Sequence, residues 1–276
     1  MQVKIKAFLV TESLFTKDKV YYLKMLQQYW QFLTEIIYRS FENADVVKIA
    51  SDRRIKIDFV IAAGCHNGSD TVNIMNSLNP LRYLAFEPDS FARIQAEKTF
   101  LNNMLIKVEL HPQGLSNVNS QKHLKYEAEG KGSGSTHLSD FGEDQVEVLV
   151  FDEHFKVTQN SGLLWLDVEG HALQALEGMK TVLKKIAIAR IEVQLHTRND
   201  EFAQDFMQVI EVMREASLVP CFGPIRPGYF GEIIFINSKF LSSKDKLQGK
   251  ILWIVMKLLH LTLYLKLNKL PTINLG

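Results

Sequence analysis

Apolar residues run through the middle of the chain in short unbroken blocks, and several blocks end at a cluster of glycine and acidic residues. The clearest block is Leu163 to Leu166, with Gly162 before it and Asp167-Val168-Glu169-Gly170-His171 after it. Four consecutive apolar residues with turn signals on both sides predict a strand buried on both faces, as in a parallel α/β sheet. Ligands of such sheets bind just beyond the carboxyl ends of the strands, where Asp167 and Glu169 fall. Asp167 also suits the N-cap of a helix predicted over Ala172 to Leu176, with Glu169 close to its positive end. Capping and function are compatible there.

Ile55 to Ala63 predicts a second strand, followed by Gly64-Cys65-His66-Asn67-Gly68 and a helix over Ser69 to Leu78. Two glycines between strand and helix permit a tight turn and bring a ligand close to the helix N-terminus. The spacing is G-x-x-x-G rather than the dinucleotide fingerprint, so nothing here specifically asks for NAD or FAD. Leu81 to Phe86 predicts a third strand, ending at Glu87-Pro88-Asp89. Glu87 lies about twenty residues past the glycine turn, the offset at which Rossmann-like folds place a carboxylate on a ribose diol. A later strand, Ile186 to Leu195, places Glu192, Gln194 and His196 on one face by its period of two.

Upstream, Leu23, Leu26, Trp30, Leu33 and Ile37 recur at spacings of three and four, predicting an amphipathic helix that covers the core or cleft, with a homodimer seam as the alternative. Met1 to Val10 alternate as a strand would and lack the pattern of a signal peptide. Gly130, Gly132 and Gly134 cluster within Glu127 to Asp140, which reads equally as a lid over the cleft or as a wide hairpin turn. Asp152-Glu153-His154 stands at a strand-to-helix join, where capping is the ordinary explanation.

Taken in order, the blocks VIAAGCHNG, FEPD, GLSN (Gly114 to Asn117), VEVLVFDEHF, LLWLDVEGHALQALEG and IARIEVQ resemble the FkbM-type S-adenosylmethionine-dependent methyltransferases over about Ile55 to Phe235. The resemblance implies an α/β, Rossmann-like class I methyltransferase fold: a three-layer sandwich around a mostly parallel seven-stranded sheet, here at residues 55–238. A strand and helix extension at 1–54 and a helical tail at 239–276 flank it. The resemblance also implies S-adenosyl-L-methionine as cofactor. Gly64 and Gly68 then face its methionine part, Glu87 the ribose, Ser116 the adenine edge, and Asp167 the methyl donor, with Cys65, Asn67 and Asp89 as further cofactor-binding residues. The implied reaction is methylation of a hydroxyl on a small-molecule, carbohydrate or glycan-like acceptor. The chain departs from the family pattern at three places: Ala62 stands where an acid is usual, Trp165 where a lysine is common, and Ala172 where a second glutamate is usual.

Methyl transfer to an alcohol needs the oxygen in line with the sulfur–methyl bond and a base for its proton. Asp167, Glu169, Glu192 and His196 are the candidates expected to converge, with His171 as a second imidazole beside Glu169. The same groups suit Mg2+ or Mn2+, but metal-free base catalysis is the preferred expectation, and no metal ligands are assigned. A nicotinamide oxidoreductase is disfavoured by the absent fingerprint. A non-catalytic methyltransferase-like module in glycan assembly is the alternative, motivated by the lost pocket charges.

With 276 residues, 46% hydrophobic and 23% charged, the chain can bury an ordinary core. Cys65 and Cys221 are its two cysteines, which implies no disulfide framework and a cytoplasmic setting. From Lys239 onward there are seven lysines against Asp245 alone, a formal +6 in a chain whose total is +1. That tail is apolar as well as basic. Lys257, His260 and Lys266 interrupt Ile251 to Leu270, so residues 251–267 read as a helix docked on the domain or a second subunit, or as a peripheral contact with the inner face of a membrane. The body is not basic, so no nucleic-acid partner is expected.

Overall fold

A computed structural model of the protein describes residues 45–126, 130–132, 136–194, 206–222 and 230–267. The amphipathic segment at 23–37, the alternating stretch at 1–10 and His196 lie outside them.

The elements begin with α1 (Val46–Asp52), whose first turn is capped by Asp45 accepting from the Val47 amide at 2.8 Å. Then come β1 (Phe59–Ala63), α2 (Ser69–Leu78), β2 (Arg82–Phe86), α3 (Ser90–Asn102) and β3 (Val108–His111). A set of short strands follows: β4 (Gly114–Leu115), β5 (Ser120–Lys125), β6 (His137–Ser139) and β7 (Asp144–Leu149). The third part runs α4 (Phe151–His154), β8 (Gly162–Leu166), α5 (Ala172–Glu177), α6 (Lys180–Leu183) and β9 (Ile186–Gln194). It closes with α7 (Phe206–Glu215), β10 (Leu218–Phe222), β11 (Phe230–Asn237) and α8 (Ser243–Leu267).

Among the described residues seven strands form one sheet in the order β3-β2-β1-β8-β9-β11-β10. The five from β3 to β9 pair in parallel, and β11 runs antiparallel to both of its neighbours. The seven-stranded expectation holds, with the sheet mixed at one end. Strands β10 and β11 are separated by only seven residues, enough for a hairpin but short of the crossover a parallel pair needs.

All five residues of β1 are buried, as expected for a strand flanked on both edges and covered on both faces. Alternate positions feed two cores. Val60, Ala62, Tyr83, Leu163, Ile188 and Ile234 join Val46 and Ile49 of α1 and Ile74 of α2 in one cluster. Phe59, Ile61, Leu84, Leu164 and Ile191 point the other way and are equally buried, as are Leu176, Leu183, Ile210 and Met213 of α5, α6 and α7.

The second sheet, β4-β7-β5-β6, had no counterpart in the sequence reading. Its strands are short and mostly half-exposed, so they carry no continuous apolar block. Asp152 accepts from the amides of Thr181 and Val182 at 2.5 and 3.1 Å and so caps α6.

Candidate functional site

An open cavity of about 220 Å3 lies at the carboxyl ends of β1, β2 and β8. Its floor is the turn between β1 and α2. Gly64 has φ +76°, and a Cβ there would lie 1.6 Å from the carbonyl oxygen of Asp167, so only glycine fits. The amides of Gly64 and Cys65 donate to the Phe86 carbonyl at 3.0 and 3.2 Å, tying the turn to β2. Gly68, at φ +78°, starts α2 under the ring of Phe100, which a Cβ would meet at 2.5 Å. Asn67 accepts from the Ser69 amide at 3.1 Å. Cys65 lines the wall, and burial pushes its thiol far up, so it stays protonated.

Glu87 ends β2 at 7% exposure. Its two carboxyl oxygens accept from the backbone amides of His66 at 2.8 Å and Asp89 at 3.0 Å. Burial nevertheless dominates and pushes the group up to about 7, the two amide bonds only partly offsetting it. Asp89, almost fully buried, caps α3 through Phe91 at 2.9 Å and accepts from the Gly132 amide at 2.8 Å. The Gly132 carbonyl takes a hydrogen bond from His66 Nε2 at 3.0 Å, which fixes the proton on that nitrogen. Gly132 thus clasps the glycine turn and the end of β2, and Thr136 and Leu138 beyond it line the cavity. Of the two described parts of the glycine-rich stretch, the one from Thr136 onward contributes to the cavity wall and the one at Gly132 ties the neighbouring turns together.

Across the mouth, β8 delivers Asp167 and Glu169. Glu169 at φ 44° and Gly170 at φ 89° are both left-handed, a turn that costs a non-glycine residue energy and is characteristic of functional sites. Oxygens of Asp167, Glu169 and Glu192 lie within 4.8 Å of one another. Burial raises the Glu192 carboxyl well above the ordinary range, reinforced by a hydrogen bond with Asp167 and by the neighbouring negative charges. The trio therefore retains a proton near neutral pH, and its spacing also suits a divalent cation. His171 turns elsewhere: its Nε2 meets Ser116 Oγ at 3.1 Å. Burial pushes that imidazole down to about 4, leaving it neutral and weakly basic. Neither His171 nor Ser116 lines the cavity, whereas Gly114 and Leu115 just before Ser116 do.

A model of the FkbM methyltransferase domain matches residues 63–217, more than half the chain. The protein belongs to the FkbM methyltransferase family. Its fold is similar to that of a methyltransferase FkbM from Methylobacillus flagellatus, at 11% identity and TM-score 0.44 over 66% of this chain and 44% of that one. A Streptococcus mutans protein solved in complex with SAH aligns at 12% identity and TM-score 0.43, over 70% of this chain and 99% of its own. A SAM-dependent methyltransferase from Aquifex aeolicus gives 9% and 0.40, with 74% and 98% covered. No curated protein matches the chain.

Two uncharged residues of this FkbM domain are neighbours in space. Ala62 and Trp165 are register partners on β1 and β8, and both line the cavity. The guanidinium of Arg190 on β9 lies 3.8 Å from the Trp165 ring centroid and is paired with Glu232 of β11. Trp165 stood in the sequence only as a departure, and His66 and Gly132 were not singled out as contacts. The glycine cluster was the one signal for Gly132. Nothing local announced that His66 contributes its backbone as well as its ring.

Proposed function

We propose that the protein transfers a methyl group from S-adenosylmethionine to a hydroxyl oxygen of a carbohydrate or glycan-like acceptor. The observation that carries this reading is the meeting of two sets of groups at one strand edge. The Gly64–Gly68 turn with Glu87 lines one side, and Asp167, Glu169 and Glu192 gather on the other. The residues present suit the cofactor: backbone bared by two glycines whose Cβ would clash, a buried carboxylate for a diol, and an apolar wall of Leu115, Leu124 and Leu138 for a flat ring.

When bound, the cofactor supplies an electrophilic methyl on a positively charged sulfur. Glu87 accepts from the ribose hydroxyls when ionised, while the amides of His66 and Asp89 hold it in place. Asp167 would orient the acceptor hydroxyl, and Glu192, once ionised, would take its proton as the oxygen–methyl bond forms and the methyl–sulfur bond breaks. Trp165 and Ala62 exclude water from the same wall. His171 supports this edge through Ser116 and does not itself accept the proton.

A second reading keeps the reaction and gives the trio a Mg2+ or Mn2+ ion, favoured by three oxygens within 4.8 Å. The test is incubation with S-adenosylmethionine and a panel of sugars and glycans, reading S-adenosylhomocysteine release and the mass of methylated product. Product formed on hydroxyl acceptors, and lost in Asp167→Asn, supports the proposal. Absence of cofactor binding overturns it.

A further inference from the structure

Helix α8 is two-faced. Gly249, Leu252 and Met256 are buried, and Gly249 sits so close to β10 that a Cβ would lie 2.3 Å from Val219 Cγ1. The start of the helix is pinned by Arg53, whose guanidinium donates to both oxygens of Asp245 at 3.0 and 3.3 Å. This inner face belongs to the domain. The outer face does not: Leu247, Ile251 and Ile254 are 59%, 51% and 49% exposed. Their spacing of four and three puts them in one stripe along the axis. In the sequence the same spacing continues through Leu258, Leu261 and Leu265, and the helix backbone runs unbroken to Leu267.

Lysines border this stripe. Lys244, Lys246 and Lys250 are exposed, and Lys257 follows in the sequence. The helix holds a single acid, Asp245, already neutralised by Arg53. Such a stripe could also pair with a copy of itself, because its spacing is that of a coiled-coil seam. Opposite charges at the flanks commonly set the pairing of such a seam, and the sequence of this helix offers lysines beside the stripe without an acid to meet them. At 25 residues the helix is about 37 Å long, yet no described helix is long and apolar enough to cross a membrane. We infer that the outer face of α8 lies flat on an anionic lipid surface, its apolar stripe in the headgroup boundary and its lysines against lipid phosphates.

The test is flotation of the full chain with phosphatidylcholine vesicles, with and without about one third phosphatidylglycerol. Binding should require the anionic lipid and be released by 1 M salt, where screening shortens charge reach to about 3 Å. Lys244→Ala with Lys250→Ala should weaken binding about thirtyfold, about 2 kcal/mol at 1.4 kcal/mol per tenfold, since each lysine near such a surface contributes about 1 kcal/mol. Ile251→Glu with Ile254→Glu should abolish it while far-UV circular dichroism and S-adenosylhomocysteine binding stay unchanged, because both side chains are half in solvent. Equal binding to neutral vesicles, or none to anionic ones, overturns the inference. So does light scattering that shows a dimer dispersed by the isoleucine substitutions.

Discussion

Glu87→Gln tests the ribose contact through its dependence on pH. The native carboxyl is pushed up to about 7 by burial, so about one tenth is ionised at pH 6 and about nine tenths at pH 8. If the ionised form alone accepts the diol, apparent affinity for S-adenosylhomocysteine rises about tenfold across that interval, because the apparent constant scales with the competent fraction. Glutamine has no proton to lose, so its profile should lack this rise. At pH 8 the variant should bind about ten- to a hundredfold more weakly, the value of a charge-assisted hydrogen bond of about 1.5 to 3 kcal/mol. Stability follows the same proton with its own sign. The folded value lies above the ordinary 4.5, so the contribution is complete below about pH 4.5 and is lost as pH rises through about 7. Relative to Glu87→Gln, the ligand-free wild type should lose about 3 kcal/mol between pH 4 and pH 8. Titration calorimetry at the two pH values and denaturant melts of both proteins read these numbers. Parallel pH profiles for wild type and variant would refute the argument.

Asp167→Asn and Glu192→Gln should each lower kcat by about a hundred- to ten-thousandfold, with cofactor affinity kept in the Glu192 variant. Wild-type kcat should climb toward alkaline pH, because the raised Glu192 carboxyl must shed its proton to serve as base; if EDTA instead abolishes turnover and Mg2+ restores it, the trio holds a metal. Gly64→Ala should cost at least about 1 to 3 kcal/mol, seen as a Tm drop of roughly 2 to 4 °C per kcal/mol and as lost S-adenosylhomocysteine binding, since its Cβ would meet the Asp167 carbonyl. Gly249→Val should loosen α8 from β10 and raise protease sensitivity in residues 243–267, while leaving cofactor affinity near wild type.

Strands β1, β2 and β8 were legible because a centrally placed parallel strand is covered on both faces and must be apolar throughout. The period of two on β9 likewise gathered Glu192 with Asp167, since Ile191 and Val193 go inward and leave Glu192 on the other face. The direction of β11 was not legible, because it follows from the short link to β10 rather than from either strand's composition. The small sheet escaped notice because Ser120 to Lys125 buries only Leu124. His171 illustrates a different limit: its position beside Glu169 in sequence says nothing of where the ring turns, and it meets Ser116, the residue after β4. The tail's docking on the domain is seen on one face, where Gly249, Leu252 and Met256 are buried, while Leu247, Ile251 and Ile254 on the other face stay exposed.

The row Ala62, Trp165, Arg190 has a consequence for mutagenesis. Ala62 and Trp165 are direct cross-strand neighbours, both uncharged, with the Arg190 cation one strand outward against the indole. An acid placed at 62 alone would be set against an aromatic side chain, and a lysine placed at 165 alone would lose the indole that Arg190 packs on, each leaving a desolvated charge poorly matched. The two positions are therefore coupled, and the effect of changing both should depart from the sum of the single changes.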